Sequence, residues 1–139
     1  ENHGPVIITP HPGEMSRLTG LQVEEIAKDR VGVALALAED LRVVVVLKGA
    51  HTVVALDDGS LFINSTGNAG MATAGAGDVL TGIIGGLLLQ GLSPKDAAVT
   101  GVFVHGLAGD MAREVLGAHA IIAGDIIDFL PAALKSLYR

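Results

Sequence analysis

Apolar positions along this chain recur with two different periods. Val6 to Thr9 is a short apolar run that predicts a strand. It ends in Thr9-Pro10-His11-Pro12-Gly13-Glu14, where two prolines predict a stiff, extended loop. From Gln22 to Asp40, Val23, Ile26, Ala27, Val31, Ala34, Leu35 and Ala38 share one helical face, and Glu24, Glu25, Lys28, Asp29 and Glu39 lie mostly off it. That spacing predicts one covering helix. Arg42 to Leu47 is a continuous β-branched run, the pattern of a strand buried on both faces. Thr52–Leu56 and Leu61–Asn64 flank Asp57-Asp58-Gly59-Ser60 and predict a hairpin.

The second half reads as helices. Val79, Leu80, Ile83, Ile84, Leu87 and Leu88 form a helical stripe beginning near Asp78. Gly82, Gly85 and Gly86 weaken that helix, which predicts close packing of the helix against the sheet or a neighbour to offset them. Gly91 reads as a C-cap and Ser93-Pro94 as the start of the next helix. Its face of Ala98, Gly101, Val102, His105, Ala108, Gly109 and Ala112 runs to a stop at Gly117. Asp125 is expected to cap a last helix, Ile126 to Leu137, which Pro131 should bend or shorten. The fold class expected is α/β: a mostly parallel sheet flanked by helices, with a β-hairpin before a glycine-rich loop.

Composition narrows the function. At 139 residues, the chain is one domain or part of one, and it reaches its first strand so soon after Glu1 that it reads as the back portion of a larger domain. Half of it is hydrophobic but only 3% aromatic, a core of Val, Leu, Ile and Ala. A net charge of −6 without a basic block disfavours nucleic-acid binding. Without cysteine there is no disulfide, thiolate metal site or thiol nucleophile. No apolar run approaches the ~18 residues needed to span a bilayer, so a cytoplasmic location without membrane partners is the expectation.

The candidate chemistry centres on Asn64 to Leu80, NSTGNAGMATAGAGDVL. Gly67, Gly70, Gly75 and Gly77 allow tight turns and close approach to a ligand. The amides of Gly75, Ala76 and Gly77, with that of Asp78, sit where a helix begins and make an anion hole. The Asp78 carboxylate beside them could take a proton from a hydroxyl attacking a phosphoryl group, or could simply cap the helix. His11 and Glu14 follow one strand and Lys48-Gly49-Ala50-His51-Thr52 follows another; ligands of open α/β sheets gather at such carboxyl ends. His11 could equally be a turn histidine facing water, and Glu14 an acidic residue favoured in a first helical turn. Turn chemistry explains Asp57 and Asp58, and His105 on its apolar stripe reads as a satisfied core histidine. No Rossmann fingerprint, P-loop or Ser-His-Asp order is present.

TPHPGE (Thr9–Glu14), KGAHT (Lys48–Thr52), NSTGNAGMATAGAGDVLTG (Asn64–Gly82) and GVFVHGLAGDMA (Gly101–Ala112), in this order, resemble the ADP- or ATP-dependent NAD(P)H-hydrate dehydratases. GAGD alone would indicate only the wider ribokinase-like superfamily. The resemblance spans residues 1–139 but covers the carboxyl-terminal half of a ribokinase-like domain. It implies a repair reaction, in which NADH or NADPH hydrated at C6 of the nicotinamide ring loses water after phosphorylation of the added hydroxyl, and ADP yields AMP and phosphate. The S epimer is the implied substrate, ADP is favoured over ATP, and Mg²⁺ is implied without an identifiable protein ligand. By motif match, Asp78 would be the catalytic base. His11 and Asp78 would bind the hydrated dinucleotide, and Lys48, Gly49, Ala50, His51, Thr52 and Gly77 would line the nucleotide. The family also implies a homotetramer. The chain departs from the family at Ala76, where Ser is common, and at Ala69, where Pro is frequent.

Two other readings compete. A hydroxymethylpyrimidine- or thiazole-type kinase would share GAGD and its helix but not TPHPGE or KGAHT. An inactive nucleotide-binding fragment would follow if the substrate pocket lacked a wall.

Overall fold

The computed structural model describes residues 4–138. Four strands form one sheet in the order β1-β2-β3-β4: β1 (Ile7–Ile8), β2 (Val44–Leu47), β3 (Val53–Ala55) and β4 (Leu61–Ile63). β1 pairs with β2 in parallel, with Ile7 opposite Val44. The hairpin adds two antiparallel pairings, Val45 with Ala55 and Val53 with Ile63 among them, so these four strands make a mixed sheet. The expected turn is present: Asp58 accepts the Ser60 amide at 2.8 Å, and Gly59 takes the left-handed φ of 83° that the turn requires.

The helices are α1 (Pro12–Thr19), α2 (Val23–Lys28), α3 (Arg30–Leu41), α4 (Ala76–Leu89), α5 (Pro94–Leu116) and α6 (Ala123–Ser136). Residues 4–64, together with Ser93–Val99, form one compact unit; Ser65–Leu92 and residues 100–138 form a second.

In the first unit every residue of β2 is buried, as the β-branched run predicts, and every residue of β3 is buried as well. Val43, Val45, Leu47, Val53 and Ala55 join Met15, Ile26, Ala34, Leu37 and Ala38 in one core. Strand pairing explains the membership, because Val45–Ala55 and Leu47–Val53 are cross-strand partners on one sheet face. Full burial of a side chain such as Ile26 contributes about 1.5–3 kcal/mol.

Two expectations are corrected here. Pro12 does not extend the loop after β1; it occupies the first helical position of α1, where its missing N–H costs nothing. The single helix expected over Gln22–Asp40 is broken at Asp29, whose backbone (φ −146°, ψ 65°) leaves the helical region. Asp29 closes α2 and caps α3 by accepting the Gly32 amide at 2.9 Å. Its off-face charge concealed a cap.

The second unit is built on α4, α5 and α6. Ala76, Val104, Ala108, Ala112, Ile121, Ile126 and Ala133 form its core. α4 begins at Ala76, two residues before the expected start, because Gly75 caps it in the left-handed conformation (φ 86°). The close packing expected of α4 is present but does not fall at its own glycines: a Cβ on Gly82, Gly85 or Gly86 would meet nothing within 4 Å. The close approach comes instead from Gly101 of α5, where a Cβ would lie 2.7 Å from Ile84 Cγ1. α5 starts on a Ser93–Asp96 exchange of hydrogen bonds and stops before Gly117 (φ 80°), as predicted. α6 starts earlier than expected and continues through Pro131; Asp125 is its third residue and accepts the Ile122 amide at 2.8 Å.

Candidate active site

In the first unit the ends of β1 and β2 bring His11, Glu14 and Lys48 together. His11 caps α1: its Nδ1 accepts the amides of Gly13 at 3.0 Å and Glu14 at 3.2 Å. An accepting Nδ1 puts the ring hydrogen on Nε2, which lies 3.5 Å from Glu14 Oε1. Glu14 completes the capping box by accepting the His11 amide at 2.8 Å. Its other neighbour is Lys48, at 3.9 Å. The His11 backbone bond comes first among the causes that hold the Glu14 carboxyl below its ordinary range, ahead of the positive charges of Lys48 and Arg17, and burial opposes them. Half of the His11 ring is exposed. The cap accounts for where His11 stands and leaves that exposed edge for a ligand.

The backbone amide of Lys48 donates to the Pro10 carbonyl at 2.9 Å, tying the two strand ends to each other. Beyond it the KGAHT loop closes on itself, with Thr52 Oγ1 donating to the Gly49 carbonyl at 3.2 Å. His51 adopts a left-handed φ of 55°, uncommon outside glycine, and its Nδ1 lies 3.3 Å from the Asn64 carbonyl oxygen. Arg30 joins this loop, and nothing in the sequence pattern pointed to it. Its guanidinium donates to the carbonyls of Leu47 at 3.2 Å and Ala50 at 2.6 Å. Burial pulls its pKa below the ordinary guanidinium value.

In the second unit the glycine-rich stretch is a supported loop. The Asn68 side chain accepts the Gly70 amide at 3.0 Å and caps a short 3₁₀ turn over Ala69–Met71. Asp110 of α5 receives the amide of Gly67 and the side-chain amide of Asn68, and Thr66 donates to the Phe103 carbonyl at 2.8 Å. Gly106 and Gly109 permit this contact, since a Cβ on either would collide with Thr66 or Met71. Asp110 was missed by the sequence reading. A charge four residues after Gly106 and seven after Phe103, beside Gly109 on a small-residue helix, was the available signal.

Gly75, Ala76, Gly77 and Asp78 then open α4. The Ala76 amide turns back to the Thr73 carbonyl at 3.3 Å, which leaves Gly77 and Asp78 as first-turn amides with no intrahelical acceptor. His105 of α5 braces this turn, its Nε2 lying 2.9 Å from the Ala76 carbonyl oxygen, so it is the satisfied histidine that its stripe predicted. Asp78 is exposed at the mouth of a cleft of about 520 Å³ along α4 and α6, lined by Val79, Gly82, Gly86, Ile127 and Leu130. Gly82 and Gly86, which pack against nothing, therefore keep this cleft open. Outward amides, a helix's positive end and an adjacent carboxylate can bind an anion and accept a proton at one place.

The family described as NAD(P)H-hydrate dehydratase matches residues 1–132. The chain belongs to it. A bifunctional NAD(P)H-hydrate repair enzyme of Moorella thermoacetica is 54% identical over 98% of this chain and 26% of its own length. An ADP-dependent (S)-NAD(P)H-hydrate dehydratase of Bacillus subtilis is 42% identical over 97% of this chain and 49% of its own. Of the solved structures, the ADP/ATP-dependent NAD(P)H-hydrate dehydratase from Bacillus subtilis, co-crystallised with ATP and Mg²⁺, is 42% identical with a TM-score of 0.94, over 98% of this chain and 49% of that one. A ribokinase-like superfamily protein from Enterococcus faecalis is 32% identical with a TM-score of 0.78, over 94% of this chain and 44% of that one. The fold is thus ribokinase-like, and the chain spans between a quarter and a half of the length of these relatives.

Among the described residues no three of His, Cys, Asp and Glu gather around one point. Nor, among them, is any helix long and apolar enough to cross a membrane.

Proposed function

We propose that this chain supplies catalytic machinery for the ADP-dependent dehydration of the S epimer of C6-hydrated NADH or NADPH. The observation that supports it is the first turn of α4, where the exposed Asp78 carboxylate stands beside the outward amides of Gly77 and Asp78. On this reading Asp78 removes the proton from the C6 hydroxyl as the oxygen attacks the terminal phosphorus of ADP. The new O–P bond forms as the bond to AMP breaks, and the Gly77 and Asp78 amides stabilise charge on the transferring group. Phosphate then leaves C6, the ring nitrogen lone pair assisting, and loss of a C5 proton restores the reduced nicotinamide. Phosphorylation replaces hydroxide, a poor leaving group, with phosphate.

Lys48, Gly49, Ala50, His51 and Thr52 are assigned to the AMP moiety and the exposed edge of His11 to the hydrated dinucleotide. Mg²⁺ would accompany the nucleotide, held chiefly by its phosphates. The reading includes a cytoplasmic homotetramer, an assembly that sedimentation velocity would measure.

Product analysis tests the reaction class. Incubation with hydrated NADH, ADP and Mg²⁺ should return reduced-nicotinamide absorbance and release AMP and phosphate in equal amounts. Accumulation of a stable phosphorylated alcohol instead would make the protein a kinase.

A further inference from the structure

The KGAHT loop is held from beneath by a residue outside every motif. Arg30 is the first residue of α3, placed by the Asp29 cap that breaks the α2–α3 run. From there its guanidinium reaches 17 to 21 residues along the chain. Nη2 donates to the Leu47 carbonyl at 3.2 Å, and Nη1 to the Ala50 carbonyl at 2.6 Å, with the His51 carbonyl at 3.4 Å. These three carbonyls bracket Lys48 and Gly49. The rigid fork of the guanidinium therefore fixes the distance between the end of β2 and the turn that follows. Gly49 makes room for it, since a Cβ there would lie 2.9 Å from Nη2 and 3.3 Å from Cζ.

The charge is as informative as the geometry. Among the described residues no carboxylate lies within ion-pair distance of Arg30, whereas Lys48 has Glu14 at 3.9 Å. Carbonyl oxygens satisfy the guanidinium's donors without cancelling its charge. Arg30 remains cationic at neutral pH despite partial burial and places a net positive charge under a loop of exposed backbone. That favours an anion above the loop.

We propose that Arg30 is a positioning residue that sets the KGAHT loop in its nucleotide-receiving conformation and supplies uncompensated positive charge beneath the nucleotide's phosphate. The inference rests on the assignment of this loop to the AMP moiety and deepens it. Arg30 acts through backbone carbonyls and does not touch reacting atoms, so its loss falls on nucleotide affinity and leaves the chemical step.

The test is titration of the full chain with ADP and Mg²⁺, steady-state kinetics, and amide exchange over Gly49–Thr52. Arg30→Met should raise the ADP dissociation constant and KM by roughly tenfold to a hundredfold while kcat stays within about threefold. Exchange should quicken in the loop and not in β2. Arg30→Lys keeps the charge but cannot span both carbonyls, so it should recover only part of the affinity. Lys28→Ala, which removes an exposed charge from α2, should change neither. If Arg30→Met does not fold, the affinity of Arg30→Lys decides by the same criterion. ADP binding by the wild type that both Arg30 variants retain unchanged would overturn the positioning role alone. Absence of ADP binding by the wild type would overturn both this role and the functional assignment beneath it.

Discussion

The Asp110 carboxylate accepts a hydrogen bond from the Asn68 side-chain amide at 2.8 Å and another from the Gly67 backbone amide at 2.9 Å. One residue of α5 thus braces a loop that begins 43 residues earlier in the chain. Asp110→Ala should destabilise the fold by about 1–3 kcal/mol, because two donors lose a charged acceptor. Asp110→Asn should cost less, since it keeps one acceptor oxygen. Urea unfolding of both variants checks the order; equal stabilities would mean that the loop stands without its brace.

The legible parts of this fold were those written in local periodicity. The strand of the Arg42–Leu47 run, formed over Val44–Leu47 with Arg42 instead closing α3, the Asp57–Ser60 turn and the Ser93 and Gly117 helix ends each depend on neighbours within a few residues. Errors arose where partners are distant or where one residue serves two elements. Asp29 ends one helix and caps the next, which an apolar stripe cannot register. Arg30 and Asp110 bind loop backbone far along the chain, and hydrophobic period says nothing about such partners. The glycines of α4 were read for packing, yet only a built backbone distinguishes a glycine in contact from one facing open space. Asp78 was conspicuous because its motif is continuous in sequence.

The two kinds of helical glycine should respond oppositely to alanine. Gly85 of α4 has open space at its Cβ position, so Gly85→Ala should raise stability by up to ~1 kcal/mol through helix propensity alone. Gly106→Ala would press on the backbone of Thr66 and Gly67 and should cost roughly 1–3 kcal/mol. Thermal denaturation of the pair reads the contrast directly. A stabilising Gly106→Ala would show that α5 and the loop do not approach as closely as described.

Glu14 gives the first unit a pH dependence of known sign. Its pKa is lowered from an ordinary 4.5, chiefly by the His11 backbone hydrogen bond. A carboxylate depressed on folding adds stability above its unfolded pKa and loses it as pH falls through the folded value. The Glu14 contribution should therefore be complete at neutral pH and fade from about pH 4.5 downward. With the side chain 43% exposed, screening limits it to a few tenths of a kcal/mol. The stability difference between wild type and Glu14→Gln, followed by urea unfolding across that range, should shrink as pH falls. A difference that grew toward acid would reverse the sign and contradict the capping-box account.

The cleft beside Asp78 gives a separate handle. Gly82→Leu would fill space lined by Val79, Gly86 and Ile127 without adding a polar group. If ligand enters along this cleft, turnover should fall by at least about tenfold while unfolding stability is held or raised. Unchanged turnover would detach the cleft from the reaction.

The most direct measurement compares wild type with Asp78→Asn for recovery of reduced nicotinamide from hydrated NADH, with ADP binding measured on both. Asparagine is nearly isosteric but cannot accept the hydroxyl proton as a base. The expected result is a fall in kcat of roughly 10²–10⁴-fold, with ADP affinity changed by less than about threefold. Recovery by Asp78→Asn at the wild-type rate would contradict the base role at the centre of this account.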